Sequence, residues 1–152
     1  MVVQYRSANS ASEVPMELLL LADPSEEMIN NYIKEGSIIV AEMSGEVIGV
    51  IVLIHKDEDT MEIINIAVKE DFQREGIGKQ LINKAMLIAK RKNVKRIEIG
   101  TGNSSLIQLG IYQRYGFRIF EIWEDYFTKH YEEEIYENRI QCRDMVRLKI
   151  DL

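Results

Sequence analysis

Apolar positions change their period as the chain proceeds. A short β run, Val2 to Arg6, opens it. Helical spacing then predicts a first helix over Ser12–Leu21 and a second starting in Asp23-Pro24-Ser25-Glu26. Asp23 suits the cap, Pro24 the first helical position and Glu26 the capping-box acid. Met28, Ile29, Tyr32 and Ile33 give this helix an apolar face, and Gly36 can stop it. The pattern next becomes β-rich: Ile38–Met43, Val47–Ile54 and Met61–Val68, separated by the Ser44-Gly45 turn and the charged turn Lys56–Asp59. Three such runs with short turns predict an antiparallel meander.

From Gln73 the helical period returns. Ile77, Leu81, Ala85 and Ile88 share a face, flanked by Ile82 and Ala89, while Lys79, Gln80, Asn83 and Lys90 point away. A β run at Arg96–Ile99, a helix over Ser104–Tyr115 ended by Gly116, and strands at Phe117–Trp123 and Met145–Ile150 complete the pattern. Strand, helix, strand in this half predicts a right-handed crossover to a parallel neighbour. The fold class is therefore α/β, antiparallel early and mixed later. No repeat, low-complexity segment or linker divides the chain, so 1–152 reads as one domain.

Composition narrows the function. The hydrophobic fraction is 46% and the charged fraction 29%, ordinary for a globular protein. Cys142 is the lone cysteine, so neither an internal disulfide nor a zinc cluster is encoded, and no metal site is expected. The start lacks a signal-peptide pattern, and the apolar run Val47–Ile54 is too short to span a bilayer. A cytoplasmic protein with no membrane partner is the expectation. The net charge of -6 argues against a nucleic-acid binder. Charge is unevenly spread: Lys79–Ile97 holds seven Lys or Arg and no acid, and Glu121–Asn138 holds seven Asp or Glu against one lysine. Two solvated faces would explain this, as would an anionic ligand near the first segment and a cationic one near the second.

The sharpest chemical signal is Gln73-Arg74-Glu75-Gly76-Ile77-Gly78-Lys79, at a strand-to-helix junction. Glycines there let a ligand approach the backbone, and the free N–H groups of the first helical turn suit a phosphate. A P-loop is excluded, because no Lys-Ser/Thr follows the second glycine of a longer loop. A dinucleotide fingerprint is excluded as well, because Leu81 stands where its third glycine belongs. Gly100-Thr101-Gly102 fails in the same way at Ser105. On their own, Gly76 and Gly78 would also serve as plain turn glycines.

The wider context is more specific. Ile64-Asn65-Ile66-Ala67-Val68 followed by Gln73-Arg74-Glu75-Gly76-Ile77-Gly78 resembles the acetyl-CoA-binding motif of the GNAT acetyltransferases. Asn103 followed by Tyr112-Gln113-Arg114-Tyr115-Gly116-Phe117 resembles that family's second signature. The resemblance covers Ile38–Trp123. It implies the GNAT fold, a mixed, mostly antiparallel sheet of about six or seven strands with about four helices.

It also implies a function: moving an acetyl group from acetyl-CoA to a primary amine by direct transfer in a ternary complex. By resemblance, Ile66, Ala67 and Val68 would line the pantetheine arm through backbone groups, with the Val68 N–H facing the developing oxyanion. Gln73, Arg74, Glu75, Gly76, Ile77, Gly78 and Lys79 would form the pyrophosphate loop. Asn103 would bond the pantetheine, or act as an ordinary helix cap. Tyr112 would be the general acid beside the thioester sulfur, or a packed aromatic, with Tyr115 offering a second hydroxyl. Glu98 matches a general-base glutamate of some ribosomal-protein N-terminal acetyltransferases, or is a strand residue facing solvent.

Gly110 stands where the family often has alanine, and the acidic, aromatic stretch Trp123–Gln141 is longer than usual. That stretch would be a lid selecting a cationic acceptor, a solvated loop or a homodimer contact. The partners implied are coenzyme A and an amine, small or on a protein. The alternative outside enzymes is a non-catalytic acetyl-CoA sensor.

Overall fold

Residues 2–152 are described by the computed structural model. They divide into two compact units, one running to Lys95 and the other Arg96–Leu152.

In the first unit, β1 (Gln4–Ser7), β2 (Ser37–Met43), β3 (Glu46–His55) and β4 (Thr60–Val68) form an antiparallel succession in that order. The expected meander is β2–β4. Helices α1 (Met16–Leu19) and α2 (Glu26–Tyr32) send Leu18, Leu19 and Ile29 into a core with Val40, Val50, Val52 and Ala67. Each such Leu or Ile fully withdrawn from water stabilises the unit by about 1.5–3 kcal/mol. Helix α3 (Ile77–Arg91) buries Ile77, Leu81, Ile82, Ala85 and Ala89, the face its periodicity predicts. Gly49 lets α3 come down on the sheet: a β-carbon there would stand 3.2 Å from Ile77 Cγ2 and 3.3 Å from Leu81 Cδ1.

The N-terminal helices depart from expectation. The single helix over Ser12–Leu21 is instead a short 3₁₀ turn, Ala11–Glu13, followed by α1. Pro15 is the cause: it has no N–H to continue a helix, and it drives Val14 into an extended conformation (φ -106°, ψ 122°). Ser25, not Asp23, caps α2, accepting the Met28 N–H at 3.2 Å. Asp23 accepts the Ser25 N–H and the Tyr32 hydroxyl instead.

The second unit holds β5 (Arg96–Gly102), α4 (Leu106–Arg114), β6 (Arg118–Trp123), α5 (Tyr126–His130), β7 (Tyr136–Glu137), β8 (Ile140–Gln141) and β9 (Met145–Asp151). Helix α4 does return the chain in the direction of β5, but β6 is not the neighbour of β5. Strand β9 lies between them and pairs antiparallel with both. Inserted there, it satisfies backbone groups on two sides at once. The stretch between β6 and β9 is not a bare link, since it forms α5 and the β7–β8 hairpin. Among the described residues, no helix is long and apolar enough to cross a membrane.

Candidate active site

At the end of β4 the chain is pinned before it turns. Gln73 Nε2 donates to the Val68 carbonyl at 2.9 Å. Two residues of the following loop take left-handed backbone, Arg74 (φ 67°) and Gly76 (φ 85°). For Gly76 this costs nothing; for Arg74 it is a strained choice of the kind found at functional sites. The loop delivers the chain to α3, whose first turn carries no acid. Ile77 is anchored in the core, while Arg74, Glu75, Gly76 and Lys79 stay exposed. Beyond the adjoining residues and the helix's own backbone, nothing lies within 4 Å of where β-carbons would sit at Gly76 or Gly78. The result is open backbone and free first-turn N–H groups, with Arg74 and Lys79 at either end. Ile66 and Val68 are half-buried and Ala67 is buried.

In the second unit, α4 buries Tyr112 edge-on to Phe117, with ring centroids 6.1 Å apart. Desolvation, with the neighbouring Tyr115 adding to it, pushes the Tyr112 phenol up to about 12. The hydroxyl therefore keeps its proton at any working pH.

Asn103 does not cap α4; Ser105 holds that position. Its side chain clamps the strand–helix junction to the segment before β9. Oδ1 accepts the backbone N–H groups of Arg143 (2.8 Å) and Asp144 (3.0 Å), and Nδ2 donates to the Gln141 carbonyl at 3.1 Å. The second Nδ2 hydrogen has no acceptor among the described residues. Glu98 is 4% exposed, so the solvent-facing alternative does not hold. It forms an ion pair with Arg147, whose side chain is fully buried. Arg147 also lies over the Trp123 ring, 4.2 Å from its centroid.

The acidic stretch is anchored. Glu137 accepts the Ser105 hydroxyl at 2.8 Å, and Asn138 donates to the Ser104 carbonyl at 2.8 Å. Phe127 and Tyr131 pack with ring centroids 5.6 Å apart. With Glu132, Glu133 and Glu134 they line a cleft of about 210 Å³. Burial pushes the Cys142 thiol up, which keeps it unreactive. Among the described residues no group of three His, Cys, Asp or Glu gathers to hold a metal.

The sequence does not point to Arg147 or to Glu137 as an anchor, and it places Arg74 in the loop without announcing its left-handed backbone. Nothing local marks the first two: each matters through a partner more than thirty positions away.

Residues 9–117 match the model of the acetyltransferase (GNAT) family. An uncharacterized N-acetyltransferase of Bacillus subtilis, YvbK, is 52% identical over 90% of this chain and 88% of its own. The crystal structure of a GNAT family acetyltransferase from Elizabethkingia anophelis with acetyl-CoA bound aligns at a TM-score of 0.95, with 46% identity, over 99% of this chain and 98% of that one. An IAA acetyltransferase from Bacillus cereus aligns at 0.94, with 52% identity, over 99% of this chain and all of its own. The chain belongs to the acetyltransferase (GNAT) family, and its reaction is acyl transfer from acetyl-CoA.

Proposed function

We propose that this chain acetylates a primary amine by direct attack on the thioester. The observation that carries the reading is the start of α3: open backbone at Gly76 and Gly78, first-turn N–H groups and no acid. That supports a pyrophosphate seat formed by Gln73 to Lys79. Ile66, Ala67 and Val68, just upstream, would hold the pantetheine arm, and Asn103 would add its remaining amide hydrogen.

In the transfer, the amine nitrogen bonds to the acetyl carbon and the carbon–sulfur bond breaks. The proton that the amine loses is the proton that the thiolate gains. The Val68 N–H would stabilise the oxyanion. A phenol held near 12 gives up its proton reluctantly. Tyr112 would therefore act chiefly by donating a hydrogen bond to the departing sulfur. Glu98 would serve as base only against its pairing with Arg147.

For the acceptor we favour a small organic cation, because the Phe127–Tyr131 cleft joins aromatic faces to three carboxylates. The decisive experiment is acetyl-CoA turnover against a panel: monoamines, polyamines, peptides with free N-termini, and IAA because of the Bacillus cereus relative. Release of coenzyme A without acetylation of any amine would overturn the reading.

A further inference from the structure

Strand β4 carries one amide into the apolar interior of the first unit. Asn65 is 3% exposed. Its Nδ2 donates to the Leu19 carbonyl at 3.0 Å and to the Tyr32 hydroxyl oxygen at 2.9 Å. These bonds fix which way the amide points. A carbonyl oxygen only accepts, so the atom facing Leu19 is the NH₂ group. The Tyr32 hydroxyl donates to Asp23 Oδ2 at 3.3 Å, which leaves its oxygen to accept from Asn65. Both amide hydrogens are thus used. The other end, Oδ1, is buried and has no hydrogen-bond partner among the described residues.

A buried carbonyl oxygen without a donor is costly, and native proteins keep few of them. A water or a ligand must supply the donor, and the position of Asn65 favours a ligand. Along β4 it lies two residues before Ala67, on the same face and about 7 Å away by strand rise. Ala67 and Val68 are where the acetyl-bearing arm is assigned above. The bonds on the far side of the amide also tune it. The Asp23 carboxylate draws the Tyr32 proton, Tyr32 draws the amide hydrogen, and negative charge accumulates on Oδ1.

We propose that Asn65 Oδ1 binds the acceptor: it takes a hydrogen bond from an N–H of the incoming amine and so aims the nitrogen lone pair at the thioester carbon. This rests on the amine-acetylation reading. A neutral acceptor oxygen suits the task, since it recognises the N–H without holding the nitrogen in its charged, non-nucleophilic form.

Two variants separate this role from a structural one. Asn65→Ala and Asn65→Asp both lose the amide donors to Leu19 and Tyr32, so both should lose thermal stability. Only Asn65→Asp keeps an oxygen at the Oδ1 position. The probe is whichever of spermidine, tyramine, benzylamine or an alanine-initiated hexapeptide the wild type acetylates best. Its KM should rise about tenfold or more in Asn65→Ala and stay within about threefold in Asn65→Asp, with acetyl-CoA affinity by calorimetry unchanged in both.

An unchanged amine KM in Asn65→Ala, or equal shifts in the two variants, overturns the proposal. If neither variant folds, a crystal structure of the wild type with coenzyme A and the amine decides. An amine nitrogen within hydrogen-bond distance of Oδ1 supports the assignment, and a water there in its place overturns it. A wild type that acetylates none of the four probes takes down the amine reading and this inference together; an active wild type indifferent to Asn65→Ala removes this inference alone.

Discussion

Arg147 Nη2 lies 3.2 Å from Glu98 Oε1, and the two side chains are 0% and 5% exposed. Removing one partner strands the other charge out of water. Glu98→Gln should therefore cost about 3–5 kcal/mol of stability in urea unfolding. Glu98→Leu combined with Arg147→Met should recover most of that loss, because no buried charge is left behind. A catalytic base would behave differently. The folded fraction of Glu98→Gln would then lose about 100-fold or more in kcat, and the acidic limb of its pH profile would vanish.

Tyr112 offers two independent readouts. Burial pushes its phenol up to about 12, from an ordinary tyrosine value of about 10. Below pH 10 both folded and unfolded states hold the proton, and the stabilisation is fully present. Between pH 10 and 12 the unfolded tyrosine ionises first, so about 2–3 kcal/mol is lost as pH rises through that window. Tyr112→Phe should flatten the dependence of the urea midpoint on pH there. The same variant should lower kcat by about 10- to 1000-fold with little change in acetyl-CoA affinity. Tyr115→Phe is the control; an equal kcat loss in it would return Tyr112 to a packing role.

The meander, α3 and the glycine loop were legible in the sequence because each is written in a short window. Alternating Val and Ile runs give the strands, and a four-residue repeat from Ile77 gives the helix. Pro15 stands inside the expected Ser12–Leu21 helix, and it is the residue that divides it. What escaped is non-local. The insertion of β9 between β5 and β6 depends on pairing across about twenty to fifty-five positions. The clamp made by Asn103 and the anchor made by Glu137 likewise join segments distant in the chain.

Gly78 has an ordinary helical backbone, and no protein atom would touch a β-carbon there. Neither conformation nor internal packing demands a glycine. Gly78→Ala should therefore stabilise the free protein by about 0.5–1 kcal/mol through helix propensity. It should also weaken acetyl-CoA binding if the pyrophosphate sits where we propose, because the methyl group would enter its space. Gly78→Glu adds a negative charge at the same point and should abolish binding in calorimetry. Wild-type affinity in a folded Gly78→Glu would remove the pyrophosphate assignment.

The cleft proposed for the acceptor makes a prediction about charge. Glu132, Glu133 and Glu134 are exposed on the segment after α5, beside the packed rings of Phe127 and Tyr131. Glu137, by contrast, is committed to Ser105, so it is left out of the test. Aromatic faces and carboxylates together attract an organic cation, and a second positive charge on the acceptor adds to that attraction. Diamines should therefore be better substrates than monoamines of similar size. Because the carboxylates face solvent, the preference should fade as salt rises, exposed charges being screened beyond about 8–10 Å near physiological ionic strength. Replacing Glu132, Glu133 and Glu134 together with glutamine should raise KM for the diamine and leave that for acetyl-CoA unaltered. If the triple variant ranks monoamines and diamines as the wild type does, these acids do not select the acceptor. Sedimentation of the same variant then shows whether they instead serve contact with a second copy of the chain, which would appear as a lower mass.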